Sequence, residues 1–302
     1  MAGAREIQSR MKSIQDTMKI TNAMYMISSS KLKRVKKRLE DTEPYFYALQ
    51  SVLERIARHF PDIQHRYIDP SPDRTPAQKK TGYLVITGDK GLAGAYNHNV
   101  MKLAEQEMNQ GGGNDTLFVV GQVGVHYFQK KGMHVDTHFH YTAQNPTMNR
   151  ARIISEKLLE LYDCQELDEI YVIYTKMTNS IHMEAVMTKL LPLERHRYEG
   201  HLPADVPMQD MVLFPTPDAV IDSIVPNYVT GFIYGALVES FSSEQNSRMM
   251  AMEAATRNAR EMLKSLEIEY NRVRQAAITQ EITEVISGAK AQKRKKGGAS
   301  SR

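Results

Sequence analysis

The stretch Ala251-Met-Glu-Ala-Ala-Thr-Arg-Asn-Ala-Arg-Glu-Met-Leu-Lys-Ser-Leu266 lies inside a longer run, Ala236 to Ser287, that contains neither glycine nor proline. Within it Met252, Ala255, Ala259, Met262, Leu266, Glu269, Val273 and Ala276 recur at alternating steps of three and four. That is the seam of a coiled coil. A helix over the whole run would be roughly 78 Å long at 1.5 Å per residue. Such a helix needs a partner to lie against. The other end of the chain offers one. Ala4 to Glu43 is also free of glycine and proline, enough for roughly 60 Å of helix. There Ile7, Met11, Ile14, Met18, Thr21, Tyr25, Ser28, Leu32, Val35 and Leu39 follow the same alternation. Thr21, Ser28, Glu269 and the alanines dilute a pure leucine seam, while small residues let two helices approach closely. The two ends of one chain meet at high effective concentration, so an intramolecular antiparallel hairpin is expected. An amphipathic pair within a bundle has the same period; the lengths favour the hairpin. Glu253–Arg257, Arg257–Glu261 and Glu261–Lys264 are spaced for pairing on a solvated outer face.

All twelve prolines fall between Pro44 and Pro226, and this middle reads differently. Tyr83–Thr87, Thr116–Val120 and Ile170–Tyr174 are short β-branched and aromatic runs. Helix-like stretches lie near Asn99–Asn109 and Asn149–Tyr162. Strand, helix, strand implies a small Rossmann-like parallel α/β sheet. Pro61–Lys80 and His201–Pro217 read as loops. The expected organisation is a coiled-coil helix at 1–60, an α/β domain at 80–200, a second coiled-coil helix at 218–289 and a disordered basic tail at 290–302. One lobe is thus inserted between two ends that find each other.

The net charge of +4 conceals an asymmetry. Residues 1–60 carry twelve basic against six acidic side chains, residues 290–302 six basic and no acidic ones. The part between is therefore acidic. Basic ends fit nucleic acid, anionic lipid or an acidic protein surface. There is no run of about 18 apolar residues, so no transmembrane segment is expected. The first residues lack the apolar stretch of a secretory signal. Cys164 is the only cysteine, which rules out an intrachain disulfide and fits a reducing compartment.

Gly88-Asp-Lys-Gly91-Leu-Ala-Gly94-Ala-Tyr-Asn97 follows a strand and precedes a helix, where open α/β sheets bind phosphates. It matches neither Gly-x-Gly-x-x-Gly nor the P-loop pattern, and its glycines also serve a tight turn. His134, His138 and His140 would share one face of a strand, as metal ligands or as a solvated surface. No acid, base and nucleophile set stands out, and no cofactor, metal or catalytic residue is expected. Lys31, Lys33, Arg34, Lys36, Lys37 and Arg38 form a dense basic stretch on the first helix. It lacks the interleaved aromatics of a nucleic-acid binder and suits acidic loops on a protein partner equally well.

Ile278-Thr-Gln-Glu281-Ile-Thr-Glu284-Val-Ile-Ser-Gly288-Ala289, preceded by Asn271-Arg-Val-Arg274-Gln275-Ala-Ala, closely resembles the C-terminal signature of bacterial-type F-type ATP synthase gamma subunits. Ala4–Ile14, Thr17–Met24 and Asp89–Asn97 are similar to that family too, in the same order. The resemblance implies a noncatalytic central-stalk rotor. It would have alpha and beta subunits around its coiled coil, an epsilon subunit alongside and a membrane c ring beneath. There would be one copy per complex, peripheral on the cytoplasmic face of the cell membrane, binding no nucleic acid. Position by position, it implies beta-subunit contacts through Arg274 and Gln275, through Met24, and through Lys31, Lys33, Arg34, Lys36 and Lys37. It implies an apolar upper bearing at Ile278, Ile282 and Val285, and a c-ring contact at Leu213, Phe214, Thr216 and Asp218. Ala93 departs from the cysteine common in the family, and Ser28–Ser30 from an alanine-rich stretch. A single cysteine rules out the dithiol insert of the chloroplast branch.

Overall fold

The computed structural model describes residues 2–60, 63–68, 79–110, 114–136, 139, 141–179, 182–193 and 213–299. Its elements are α1 (Ala2–His59), β1 (Thr81–Ile86), α2 (Tyr96–Gln110), β2 (Asp115–Val120), α3 (Gln122–Lys130), α4 (Met148–Asp163), β3 (Glu169–Met177), β4 (Met183–Leu191) and α5 (Pro217–Ala299). They form two compact units, Met1–Met26 with Met250–Arg302, and Ile27–Met249.

The first unit is a pair of antiparallel helical segments. On α1, Ile7, Met11, Ile14, Met18 and Thr21 are buried or half-buried, and most residues between them are exposed. That is the seam expected from the heptads. On α5 the seam is Met252, Thr256, Ala259, Leu263, Leu266, Tyr270, Val273 and Ala277. Half of the expected positions are therefore displaced by one. Met262 and Glu269 are exposed, and Leu263 and Tyr270 take their places. Both choices keep the three-four alternation, and burying Tyr270 rather than a Glu269 carboxylate avoids an unpaired buried charge. Leu39, the last residue of the α1 pattern, has a side chain outside the described ones.

Thr21 and Thr256 meet in the seam, their hydroxyl oxygens 2.8 Å apart and buried. The Thr21 hydroxyl also lies 3.0 Å from the Met18 carbonyl. Carried forward residue for residue, this register sets Ala2 opposite Gln275. Such a polar pair favours one register, because a slip breaks the hydrogen bond between the helices and sets each hydroxyl against apolar side chains. Thr256→Val alone is expected to lower stability by about 1 kcal/mol, and Thr21→Val with Thr256→Val together by less than the sum of the singles. Thermal unfolding of the four chains checks it.

In the second unit the strands lie in the order β2-β1-β3-β4. β1 is parallel to β2 and β3, and β4 is antiparallel to β3. The expected parallel sheet thus gains an antiparallel edge strand. Met183–Leu191 is largely half-buried and mixes Glu184, Thr188 and Lys189 with apolar residues, so it lacks the continuous apolar run of its neighbours. Its turn is closed by Thr178 N donating to the His182 carbonyl (3.2 Å) and His182 N donating to Asn179 Oδ1 (2.7 Å).

Both faces of the sheet are covered, as parallel strands require. Leu84, Ile86, Phe118, Val120 and Val172 share a core with Ile154 and Leu158 of α4, Val225, Val229 and Ile233 of α5, and Leu53 and Ile56 of α1. Tyr83, Val85, Leu117, Val119 and Ile173 pack with α2 and α3 on the other side. The period-two alternation along β1 divides its side chains between these cores.

α5 changes character along this unit. From Ile221 to Val238 its buried residues are mostly apolar. From Ser240 to Arg248 they are mostly polar: Ser240, Ser242, Ser243, Glu244, Gln245, Asn246 and Arg248. The same helix runs on to Ala299. Composition predicts disorder from Lys290, but alanine, lysine and arginine are good helix formers and carry the helix further. Residues 300–302 lie outside the described residues, as do most of the two expected loops, 61–80 and 201–217.

Candidate coupling surfaces

The basic stretch is helical, and its side chains point out. Lys31, Lys33, Arg34, Lys36 and Lys37 are exposed around buried Val35. Val35 anchors this part of α1 in the core. Arg38 is engaged internally, donating to Asn145 Oδ1 at 3.0 Å. Five cations on two helical turns, held by a buried anchor, make a fixed positive surface. Met24 is half-buried.

Arg274 and Gln275 are exposed at the level where α1 begins. Beyond them α5 faces no described residue of α1. Ile278, Ile282, Val285 and Ile286 recur at helical spacing, all exposed, Val285 to 71%. Ile286 is a fourth member of the stripe that the sequence reading omitted, although the i, i+4, i+7, i+8 spacing carries it. An exposed apolar stripe of this kind, facing no described residue of α1, has the character of a contact surface.

At the start of α5, Leu213 is half-buried against the first core, whereas Phe214 is 89% exposed. Thr216 Oγ1 accepts a hydrogen bond from Ala219 N at 3.3 Å, which caps the helix. Asp218 sits exposed in the first turn, where the helix dipole favours an anion. A large aromatic ring is thus held in solvent beside a well-fixed helix end.

The glycine loop after β1 is filled from within. Gly88 N donates to Asn97 Oδ1 (2.7 Å), and the Gly88 carbonyl accepts from Val123 N (3.1 Å). Asp89 accepts from Gln122 N (3.1 Å), from Gln144 N (3.2 Å) and from the Thr142 hydroxyl. It caps α3, which has no side-chain cap of its own at Gly121. Gly88 N, the Asp89 carboxylate and the Lys90 and Gly91 carbonyls thus hold the loop to α2, α3 and α5. The glycines serve the turn: Gly94 has φ +56°. His138 and His140 lie outside the described residues. Among the described residues, no group of three His, Cys, Asp or Glu side chains could hold a metal ion, and no helix is long and apolar enough to cross a membrane.

A charged pair that local sequence spacing does not single out lies behind this loop. Glu244 and Arg248, four residues apart on α5, are buried and joined at 2.6 Å. Burial raises the Glu244 carboxyl above its ordinary range, against the pull of Arg248. Burial likewise raises the Tyr96 hydroxyl, which hydrogen-bonds to Ser240. The i, i+4 spacing of Glu244 and Arg248 was visible, but their burial was not.

Paired long helices, an uncovered apolar end, a basic mid-section and an α/β lobe define a class: a helical stalk protein that works by contact with other chains. The comparisons agree. The ATP synthase family model matches residues 3–292. The ATP synthase gamma chain of Ruminiclostridium cellulolyticum is 45% identical, with 95% of this chain and 98% of that one aligned. That of Acetivibrio thermocellus is also 45% identical, over 97% and 100%. Among solved structures, a chain from the Euglena gracilis mitochondrial ATP synthase (OSCP/F1/c-ring) has a TM-score of 0.63 at 15% identity, covering 96% of this chain and 95% of that one. The chain belongs to the ATP synthase gamma-chain family. In that family it is a stalk subunit, not the catalytic one.

Proposed function

We propose that this chain is the central-stalk rotor of an F-type ATP synthase on the cytoplasmic face of the cell membrane, one copy per complex, coupling ion flow through the c ring to the catalytic beta subunits. The observation that carries the reading is the end of α5, which has an exposed Ile/Val stripe and faces no described residue of α1, in a chain of the gamma family. In this reading Ile278, Ile282 and Val285 turn in an apolar collar of alpha and beta subunits. Arg274, Gln275 and Met24 contact beta. Lys31, Lys33, Arg34, Lys36 and Lys37 face acidic beta loops. Leu213, Phe214, Thr216 and Asp218 meet the c ring, with epsilon beside the lobe.

The physics suits the parts. An ion crossing the membrane releases roughly 2.3 kcal/mol per 100 mV, so several steps must be summed for one ATP. A stiff paired helix can carry that torque. A single asymmetric chain inside a ring of like sites favours a different state at each, and its rotation cycles them.

Co-purification of the tagged chain from native membranes tests the reading, with subunit identification and an ATPase assay. Alpha, beta and epsilon with ATPase activity support it; the chain alone, or with nucleic acid only, overturns it. Replacing Ile282 and Val285 together by Asp is expected to leave the isolated fold unchanged, because both are exposed. The assembled complex should lose its gamma chain at a lower temperature, since the stripe no longer buries apolar surface in the collar. Subunit retention after stepwise heating reads this.

A further inference from the structure

We propose that Glu244 and Arg248 form a latch that ties the Gly88–Gly94 loop to α5, so that lobe and shaft helix turn as one piece. Arg248 Nη2 lies 3.0 Å from the Gly91 carbonyl and 3.3 Å from that of Lys90, and Glu244 Oε1 is 2.6 Å from the same nitrogen. The two N–H groups of this one nitrogen are thus shared among two consecutive loop carbonyls and a carboxylate on its own helix. Glu244 also closes on the start of the loop. A Cβ built on Gly88 would stand 3.1 Å from the Glu244 carboxyl carbon. Lys31 of α1 is the other cation whose charge acts on Glu244, and Asp89 and the Tyr96 ring face it from the loop and α2.

The location gives the latch its use. Lower on α5 the lobe is held by apolar packing of Ile221, Val225, Val229 and Ile233. At the upper end the helix meets the sheet through hydrogen bonds: Thr175 N to Ser240 Oγ at 3.4 Å and Ser243 Oγ to the Thr175 carbonyl at 3.3 Å. Two buried hydroxyls there, those of Thr175 and Ser242, have no partner. Each neutral hydrogen bond in this interface contributes only about 0.5–1.5 kcal/mol. The ion pair adds a directed, charge-assisted grip to it. A well-packed apolar pair would stabilise the fold as well; a charged donor shared between the loop carbonyls and Glu244 fixes one position. The loop that is gripped presents Leu92 outward, 65% exposed and at φ +62°, a conformation a leucine keeps only when its surroundings impose it. Arg248 and Glu244 are therefore positioning residues that act through the loop.

The inference rests on the rotor reading, and its test separates the two. ATP synthases carrying Arg248→Ala, Arg248→Lys or Glu244→Gln are reconstituted in vesicles. ATP hydrolysis is measured beside ATP-driven charging of the membrane, read with a potential-sensitive dye that reports either coupling cation. The expected result is full subunit recovery and sustained hydrolysis, with charge moved per ATP reduced several-fold in Arg248→Ala. Arg248→Lys should fall between, because an ammonium keeps the charge but sits on a flexible stem without the rigid plane that places Nη2 among its three acceptors, and Glu244→Gln should also fall between. Unchanged charging per ATP in Arg248→Ala overturns the latch. Failure of all three variants to assemble, Arg248→Lys included, overturns it too, since the pair would then serve folding alone. A wild-type chain that brings down no ATPase overturns the rotor reading itself.

Discussion

Arg274→Ala is expected to lower the rate of coupled ATP synthesis by about tenfold or more, and to leave the melting temperature of the chain unchanged. Arg274 is exposed on α5, and surface substitutions away from special features alter stability by no more than about 0.5 kcal/mol. Its effect must then appear where another chain covers it. A hydrogen bond to a charged group contributes about 1.5–3 kcal/mol, and each 1.36 kcal/mol at the rate-limiting step is tenfold. Arg274 stands opposite the start of the described part of α1, beyond which α5 faces no described residue of α1. In the proposed function, a grip on a beta loop at this height would hold the shaft at the end of the described pairing. Arg274→Lys should recover part of the rate, since it keeps the charge and loses the planar fork. Gln275→Ala should cost less than Arg274→Ala, because a neutral hydrogen bond contributes only about 0.5–1.5 kcal/mol. Synthesis driven by an imposed gradient in vesicles measures all three. A normal rate in Arg274→Ala, with subunits fully present, removes Arg274 from the coupling path.

The hairpin was legible in the sequence because its signal is redundant. Ten positions on α1 repeat one period, and each error is outvoted by its neighbours. The α5 pattern shows the limit. Met262 and Leu263 are both apolar and adjacent, so period alone does not choose between them; packing against α1 chose Leu263. β1, β2 and β3 were readable as continuous apolar runs because both of their faces are buried. β4 lies at the sheet edge with mixed burial, and its pattern dissolves. α3 went unread for another reason. It is nine residues long, and its N-terminal cap comes from Asp89, a residue distant in sequence. The surfaces divide the same way. The basic run and the Ile/Val stripe are local, and local spacing reveals them. The Glu244–Arg248 latch depends on a loop far away in the chain, and only the fold brings the two together.

Gly121→Ala is expected to unfold the lobe at physiological temperature or to leave it only marginally stable, with a loss of roughly 4 kcal/mol. Two costs combine. Gly121 has φ +97°, outside the range that L side chains adopt easily, and forcing one there costs about 1–3 kcal/mol. A Cβ at that position would also strike the Thr87 carbonyl and press on its hydroxyl. Backbone cannot yield as a side-chain tip can, and overpacking of this kind adds about 1–3 kcal/mol. Nor can Thr87 simply turn aside. Its buried hydroxyl donates to the Val120 carbonyl at 2.9 Å and accepts from Gly124 N at 3.1 Å, joining β1, β2 and α3 at one point. Gly132→Ala separates the two costs. Gly132 has φ +75° with open space around it, so only the conformational cost remains. Thermal unfolding should place Gly132→Ala a few degrees below the wild type and Gly121→Ala far lower still. Equal melting of the two variants would mean that the Thr87 junction relaxes freely, and that the close approach of α3 to the end of β1 contributes little to the lobe.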